Sequence, residues 1–212
     1  FIGYQTIYPL IGLLVFGADG DQIHPKGIML ATIIALVTML YMASDMLKRS
    51  FRYFKNNLSD NFKIILKYSA SIFAANILLS ILIQALFGNI TAGNQDIIEA
   101  GFGQLPVLYG FTAVIFAPIV EEIVFRGVLY QQFRNKKNYV IPMIISSLSF
   151  GLIHTLPIFM QSKDPKELIF VIVYTAMGYF MVKAYEESGS IWAAIAVHFV
   201  NNFIATMLMI LG

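Results

Sequence analysis

Long apolar runs separated by short polar ones make up almost the whole chain. Residues 2–16, 28–47, 64–87, 105–125, 139–159, 168–184 and 191–211 are each mainly apolar, and the polar stretches 17–27, 48–63, 88–104, 131–138, 161–167 and 183–190 divide them. Crossing a bilayer core takes about 20 residues of helix, and within lipid a backbone satisfies its own hydrogen bonds only as a helix or a closed barrel. The pattern predicts an all-α, polytopic transmembrane helix bundle of about seven spans, forming a single integral-membrane domain over residues 1–212. The first run is short and holds Pro9, which predicts a clipped or broken span. No polar stretch is long enough for a second domain. The opening on Phe1 rather than Met leaves room for a missing N-terminal stretch.

Composition supports the membrane reading: of 212 residues 58% are hydrophobic and only 12% charged, against roughly a quarter charged in a soluble domain. Fourteen Lys and Arg against twelve Asp and Glu give a net charge of +2, too little for the basic face that nucleic-acid binding needs. The absence of cysteine excludes disulfides, thiolate metal sites and a cysteine nucleophile. Lys48, Arg49, Arg52, Lys55, Lys63, Lys67, Arg134, Lys136, Lys137 and Lys183 fall on one side of the predicted bundle, and only Lys26, Lys163 and Lys166 on the other. The positive-inside rule places the first set in the cytoplasm and residues 88–104 outside. Phe51, Tyr53 and Phe54 interleaved with Arg52 and Lys55 suit an interfacial amphipathic segment. Four glycines in 88–104 read as a flexible outer loop. No inverted repeat of the transporter kind is visible.

The fourth apolar run carries Glu121, Glu122 and Arg126. Ionisable groups at bilayer depth are costly unless paired or facing a cavity, so they mark function by default. Glu122 and Arg126 have the i, i+4 spacing and order of a helix ion pair, and Glu121 points about 100° away from them. Arg126 is expected to neutralise and orient one carboxylate, leaving Glu121 to face a wet cavity. Pro118 should free a carbonyl one turn back and kink the helix just before the acids. Two more i, i+4 pairs follow, Phe150 with His154 and His198 with Asn202. At about 1.5 Å rise per residue, Glu121 lies roughly 20 Å from Arg134, His154 roughly 25 Å from Lys137, and His198 and Asn202 roughly 17 to 22 Å from Glu187. These depths fall in one slab on three helices, as a shared polar site requires.

A carboxylate and an imidazole from neighbouring helices can hold one water, and a buried carboxylate gains basicity. A second imidazole with a carboxamide supplies donors for a developing oxyanion. That equipment suits amide hydrolysis by activated water. No cofactor is expected; H-E-x-x-H is absent, and zinc held by two histidines and the glutamates is the less favoured option. G-x-S-x-G is also absent, and Ser146, Ser147 and Ser149 have no triad context.

The ordered set E-E-x-x-x-R (Glu121, Glu122, Arg126), F-x-x-x-H (Phe150, His154) and H-x-x-x-N (His198, Asn202) resembles the CAAX protease and bacteriocin-processing (CPBP or Abi) family of intramembrane endopeptidases, related to the type II CAAX prenyl endopeptidase. The likeness covers a catalytic core of about residues 105–205. The resemblance implies an intramembrane endopeptidase with a conical cavity open to cytoplasm and lipid. By the same resemblance Glu121 and His154 would activate water, His198 and Asn202 would stabilise the oxyanion, and Glu122, Arg126 and Phe150 would support them.

The expected partners are the lipid bilayer, a membrane-associated peptide or protein as substrate, and a peptide-processing or export system; the expected setting is a bacterial inner membrane, with the site reached from the cytoplasmic side. Two other functions fit buried glutamate and histidine: a proton-coupled transporter, and a non-catalytic membrane partner of a processing or export system.

Overall fold

An apolar segment in lipid has no water to satisfy its backbone, and helices resolve that constraint along nearly the whole chain. The computed structural model describes residues 8–19, 22–135 and 138–211. α1 (Tyr8–Phe16) is joined to α2 (Pro25–Met42) through a short antiparallel pairing of β1 (Ala18–Asp19) with β2 (Gln22–Ile23). α3 (Ser44–Asn56), α4 (Leu58–Phe87) and α5 (Gly93–Gln104) follow. α6 runs from Pro106 to Phe133, α7 covers Val140–Ser162, and a 3₁₀ stretch (Pro165–Phe170) leads into α8 (Val171–Ser188) and then α9 (Ile191–Leu211).

Six of these helices, α2, α4, α6, α7, α8 with its lead-in and α9, are long and apolar enough to span a membrane. The protein is a helical membrane bundle. Of the first predicted span, residues 2–7 lie outside the described residues, as do Lys136 and Lys137 from the charge tally. The described remainder, the nine residues Tyr8–Phe16, is about 14 Å long at 1.5 Å per residue, half a bilayer core. Outward-facing Leu78, Leu86, Ile144 and Leu208 are exposed, which suits contact with lipid rather than water.

Polar contacts lock the two ends of the bundle. At one, Glu187 accepts from Lys67 Nζ at 2.7 Å and Tyr68 Oη at 2.6 Å, and Arg134 pairs with Glu186 at 2.8 Å. α3 lies at this basic end, held by Ser50 against Ser190 at 2.9 Å and by Trp192 Nε1 donating to the Leu47 carbonyl. Leu47 is its buried residue, and its cationic residues Lys48, Arg49, Arg52 and Lys55 are exposed, the amphipathic form expected of it. At the opposite end residues 93–104 form a helix where the glycines suggest a loop. Tertiary contacts override the weak helix propensity of those glycines: Gly93 N donates to Glu167 Oε2 at 3.1 Å, and Asn94 Nδ2 to Tyr174 Oη at 3.3 Å.

Between the ends, Tyr68 and Ile72 of α4, Phe125 of α6, Phe150 of α7, Met181 of α8 and Val197 of α9 share one core. Lipid is as apolar as that core, so close packing rather than water exclusion holds the helices together. α7 and α8 meet where Gly151 and Gly178 admit the opposing backbone: a Cβ on Gly151 would lie 2.8 Å from the Val171 carbonyl oxygen, and one on Gly178 3.1 Å from Ser147 Cα. Gly151→Leu should therefore force the helices apart and cost about 1–3 kcal/mol, typical of overpacking. A lowered thermal transition of the purified protein in lipid would register it; an unchanged transition would contradict the close contact.

Candidate active site

The acids of α6 sit between two irregular turns. Thr112–Phe116 and Ile123–Tyr130 are wound as π-helix, with the α-helical segment Ala117–Glu122 between them. Wider turns of this kind inside α-helices gather at functional sites. The proline explains the first one. Ala117 N bonds to the Thr112 carbonyl, five residues back, and in that register the Ala113 carbonyl would look to the N–H of residue 118. Pro118 has none. Asn202 of α9 fills the gap, donating from Nδ2 to the Ala113 carbonyl at 2.8 Å. The freed carbonyl is thus five residues before Pro118, not one α-turn back, and a side chain from another helix meets it.

Glu122 is wholly buried, as is Arg126 one turn on. Arg126 Nη1 donates to Glu122 Oε1 at 2.8 Å and Nη2 to the Gly178 carbonyl at 2.8 Å, while its guanidinium lies over the Phe150 ring, 4.9 Å from the centroid. The predicted ion pair is present, and it carries a third member: His198 Nδ1 is 3.0 Å from the same Glu122 oxygen. Glu122 therefore orients an imidazole as well as balancing a cation.

Glu121, on the other face, has a side chain 25% exposed to a cavity. Its Oε2 lies 3.6 Å from His154 Nε2 and 3.9 Å from His198 Nε2, and has no hydrogen-bond partner among the described residues. His154 Nδ1 is 2.8 Å from the Phe150 carbonyl. A carbonyl only accepts, so Nδ1 carries the proton and the lone pair of a neutral His154 faces Glu121. Phe150 is 1% exposed and packs edge-on against Phe125 and His198 and at a tilt against His154. It works through both its carbonyl and its ring.

The residues singled out in the sequence thus come together in space: Glu121, Phe150, His154, His198 and Asn202 line one cavity of about 850 Å³, with Glu122 and Arg126 directly behind them. Asn202 differs from expectation in one respect, because one of its amide hydrogens goes to the helix break. Ser146 and Ser147 are buried and donate to the Phe125 and Met143 carbonyls. Among the described residues no group of three or more His, Cys, Asp or Glu side chains is placed to hold a metal ion.

Sequence reading missed the contribution of α8 and α5. Tyr174 stacks on the His154 ring with centroids 4.8 Å apart, Gly178 supplies the carbonyl for Arg126, and Asn94 reaches the site through Tyr174. Tyr174 and Gly178 lie on an apolar run whose one charge, Lys183, stands at its end, and Asn94 in a stretch that reads as loop. Neither signal distinguishes them from packing residues.

Arg126→Ala is expected to cost about 3–5 kcal/mol, because it strands a buried carboxylate; the Glu122→Gln, Arg126→Met pair should recover much of that loss in thermal unfolding. Equal damage from the single and double changes would argue against the ion pair. Asn202→Leu should cost about 1–3 kcal/mol through the unsatisfied Ala113 carbonyl, and an unshifted transition would show that the proline break needs no cap.

The type II CAAX prenyl endopeptidase Rce1-like family model matches residues 103–204, which contain every one of the clustered residues on α6, α7 and α9. The chain is 25% identical over 205 residues to "Putative membrane peptidase YdiL" of Bacillus subtilis (strain 168), a likeness spanning 89% of this chain and 75% of that protein. No solved structure matches it. Through the core at residues 103–204, this integral membrane protein is similar to the type II CAAX prenyl endopeptidase Rce1-like family, and both likenesses point, at family level, to a membrane peptidase.

Proposed function

We propose that the protein is an intramembrane endopeptidase that hydrolyses a peptide bond of a membrane-associated peptide or protein. The observation that carries this reading is the buried, unpartnered carboxylate oxygen Oε2 of Glu121, 3.6 Å from the lone-pair nitrogen of His154 beside the cavity. That separation is too long for a direct hydrogen bond and suits a water held between two acceptors. Glu121 takes the proton as the water attacks the scissile carbonyl, and later returns it to the leaving amine. His154 holds and polarises the same water.

Charge develops on the carbonyl oxygen during attack. His198 turns Nε2 toward the cavity as one donor for that oxygen, with the Glu122 carboxylate 3.0 Å from Nδ1 behind it. The second amide hydrogen of Asn202, the one not given to Ala113, is the other donor for that oxyanion. Arg126 and Phe150 are positioning residues: Arg126 fixes Glu122, and Phe150 sets the tautomer of His154 through its carbonyl. Every step uses protein groups and one water, so the reaction proceeds without a bound metal.

The setting that fits is a bacterial inner membrane with the basic end in the cytoplasm, by the positive-inside rule. We propose a peptide maturation role, alongside a processing or export partner, as the use that suits such a placement.

Cleavage by protein reconstituted in lipid, with products identified by mass spectrometry, tests the reading. Glu121→Ala and His154→Ala should each lower the rate by about 10²–10⁴-fold, and His198→Ala by about 10²–10³-fold, in folded protein. Full activity in Glu121→Ala would refute the assignment. Activity should also survive exhaustive chelation; loss on chelation with recovery on adding zinc would replace the metal-free mechanism.

A further inference from the structure

Glu121 and His154 stand at the meeting point of two cavities whose walls differ in chemistry. The larger runs toward the end formed by residues 88–98; its wall is mainly apolar but is studded with amide and hydroxyl groups, among them Asn76, Gln84, Thr91, Gln95, Asn201 and Thr206. The smaller, about 650 Å³, runs toward the basic end between α2 and α6 and is lined by Met39, Met42, Met46, Val120 and Val128, with Thr38 as its one polar wall residue that the larger cavity does not share. Three polar residues line both: Glu121, His154 and Asn94. Asn94 lies on α5, outside the residues that the family model matches. Its Nδ2 donates to Tyr174 Oη, which leaves a second N–H and the carbonyl oxygen for another partner.

Resting on the peptidase reading above, we infer that the two cavities hold the two flanks of one substrate chain, an apolar flank in the methionine-lined cavity and a polar flank in the amide-bearing one, with the cut at the boundary. Continuity with the reacting groups identifies the occupant as substrate, because a chain entering one cavity from the Glu121–His154 junction leaves through the other. A polar side chain in the smaller cavity would give up its hydrogen bonds to water and meet almost none in return. Methionine walls adapt to apolar side chains of varied shape. Met42 and Val128, both more than half exposed, form its rim, so an apolar flank enters sideways from the bilayer. Ile77, Ile81 and Leu208 stand similarly at the side of the larger cavity.

The chain has no cysteine, so single cysteines report each cavity separately. Met39→Cys and Gln84→Cys, each combined with Glu121→Gln to prevent turnover, are labelled with a maleimide in lipid nanodiscs. Met42→Cys and Thr91→Cys provide a second pair should the first not fold. The probe is a synthetic peptide with a leucine–alanine block joined to a serine–glutamine block, supplied in both chain orders. At roughly ten times its Kd the peptide should slow labelling at both positions about tenfold. Removing the apolar block should restore labelling at position 39 alone, and removing the polar block at position 84 alone. Release of both positions by either truncation, protection at neither, or shielding of position 39 by lipid without peptide overturns the inference. Mass spectrometry of the same peptide with the unsubstituted protein separates this inference from the peptidase reading. Selective protection without any cleavage supports the two-flank site and removes the peptidase reading; cleavage within one block instead of at the junction does the reverse.

Discussion

Arg126 and Glu122 lie 2.8 Å apart with no exposed surface, on a helix that is long and apolar enough to span the membrane. Taking two such charges out of water costs several kcal/mol per ion even after relaxation, so each must find partners in a fixed geometry. Gly178 gives Arg126 a carbonyl, Phe150 gives it a ring face, and His198 gives Glu122 an imidazole. Those partners come from α8, α7 and α9. The pair therefore determines how three other helices sit against α6, and the close contact of α7 with α8 at Gly151 and Gly178 follows from the same requirement.

The frame built around the pair also places the groups that line the cavity. His198 is held from behind by Glu122, and His154 by the carbonyl of Phe150, each through Nδ1, so both imidazoles present Nε2 to Glu121. The helix break at Pro118 contributes in the same way. Its missing N–H leaves a carbonyl that Asn202 meets, and this bond ties α9 to α6 about two turns before the acids. A local defect in one helix becomes the contact that aligns another, because a backbone oxygen left unpaired in lipid has no water to turn to.

Across Glu121 and His154 the mainly apolar interior divides into a part that carries amide and hydroxyl groups and a part, with Met39, Met42 and Met46, that carries almost none. The two parts point to opposite ends of the bundle, one toward α5 and one toward the basic end where α3 lies. α5 matters to this division. Anchored by Gly93 on Glu167 and by Asn94 on Tyr174, it brings an amide from outside the six spans to the junction, and Tyr174 passes that contact to the stacked ring of His154.

The helical membrane architecture was legible in the sequence because lipid leaves the backbone few choices, and a run of apolar residues states both its element and its environment. The clustering of Glu121, His154 and His198 was legible for a related reason: charged and polar groups are so costly at bilayer depth that several at one depth must share a site. Their local spacing also separated Glu122 with Arg126 from Glu121, since helical pitch alone puts them on different faces. What the tertiary structure decided was everything that depends on one helix meeting another. Glu122 serves His198 as well as Arg126, Asn202 closes the break left by Pro118, Tyr174 and Gly178 complete the surroundings of His154 and Arg126, and residues 93–104 fold as a helix against them. Tyrosine, glycine and asparagine carry no periodic or charge signal of their own, and their roles arise from contacts between residues up to 89 positions apart, which no local pattern encodes.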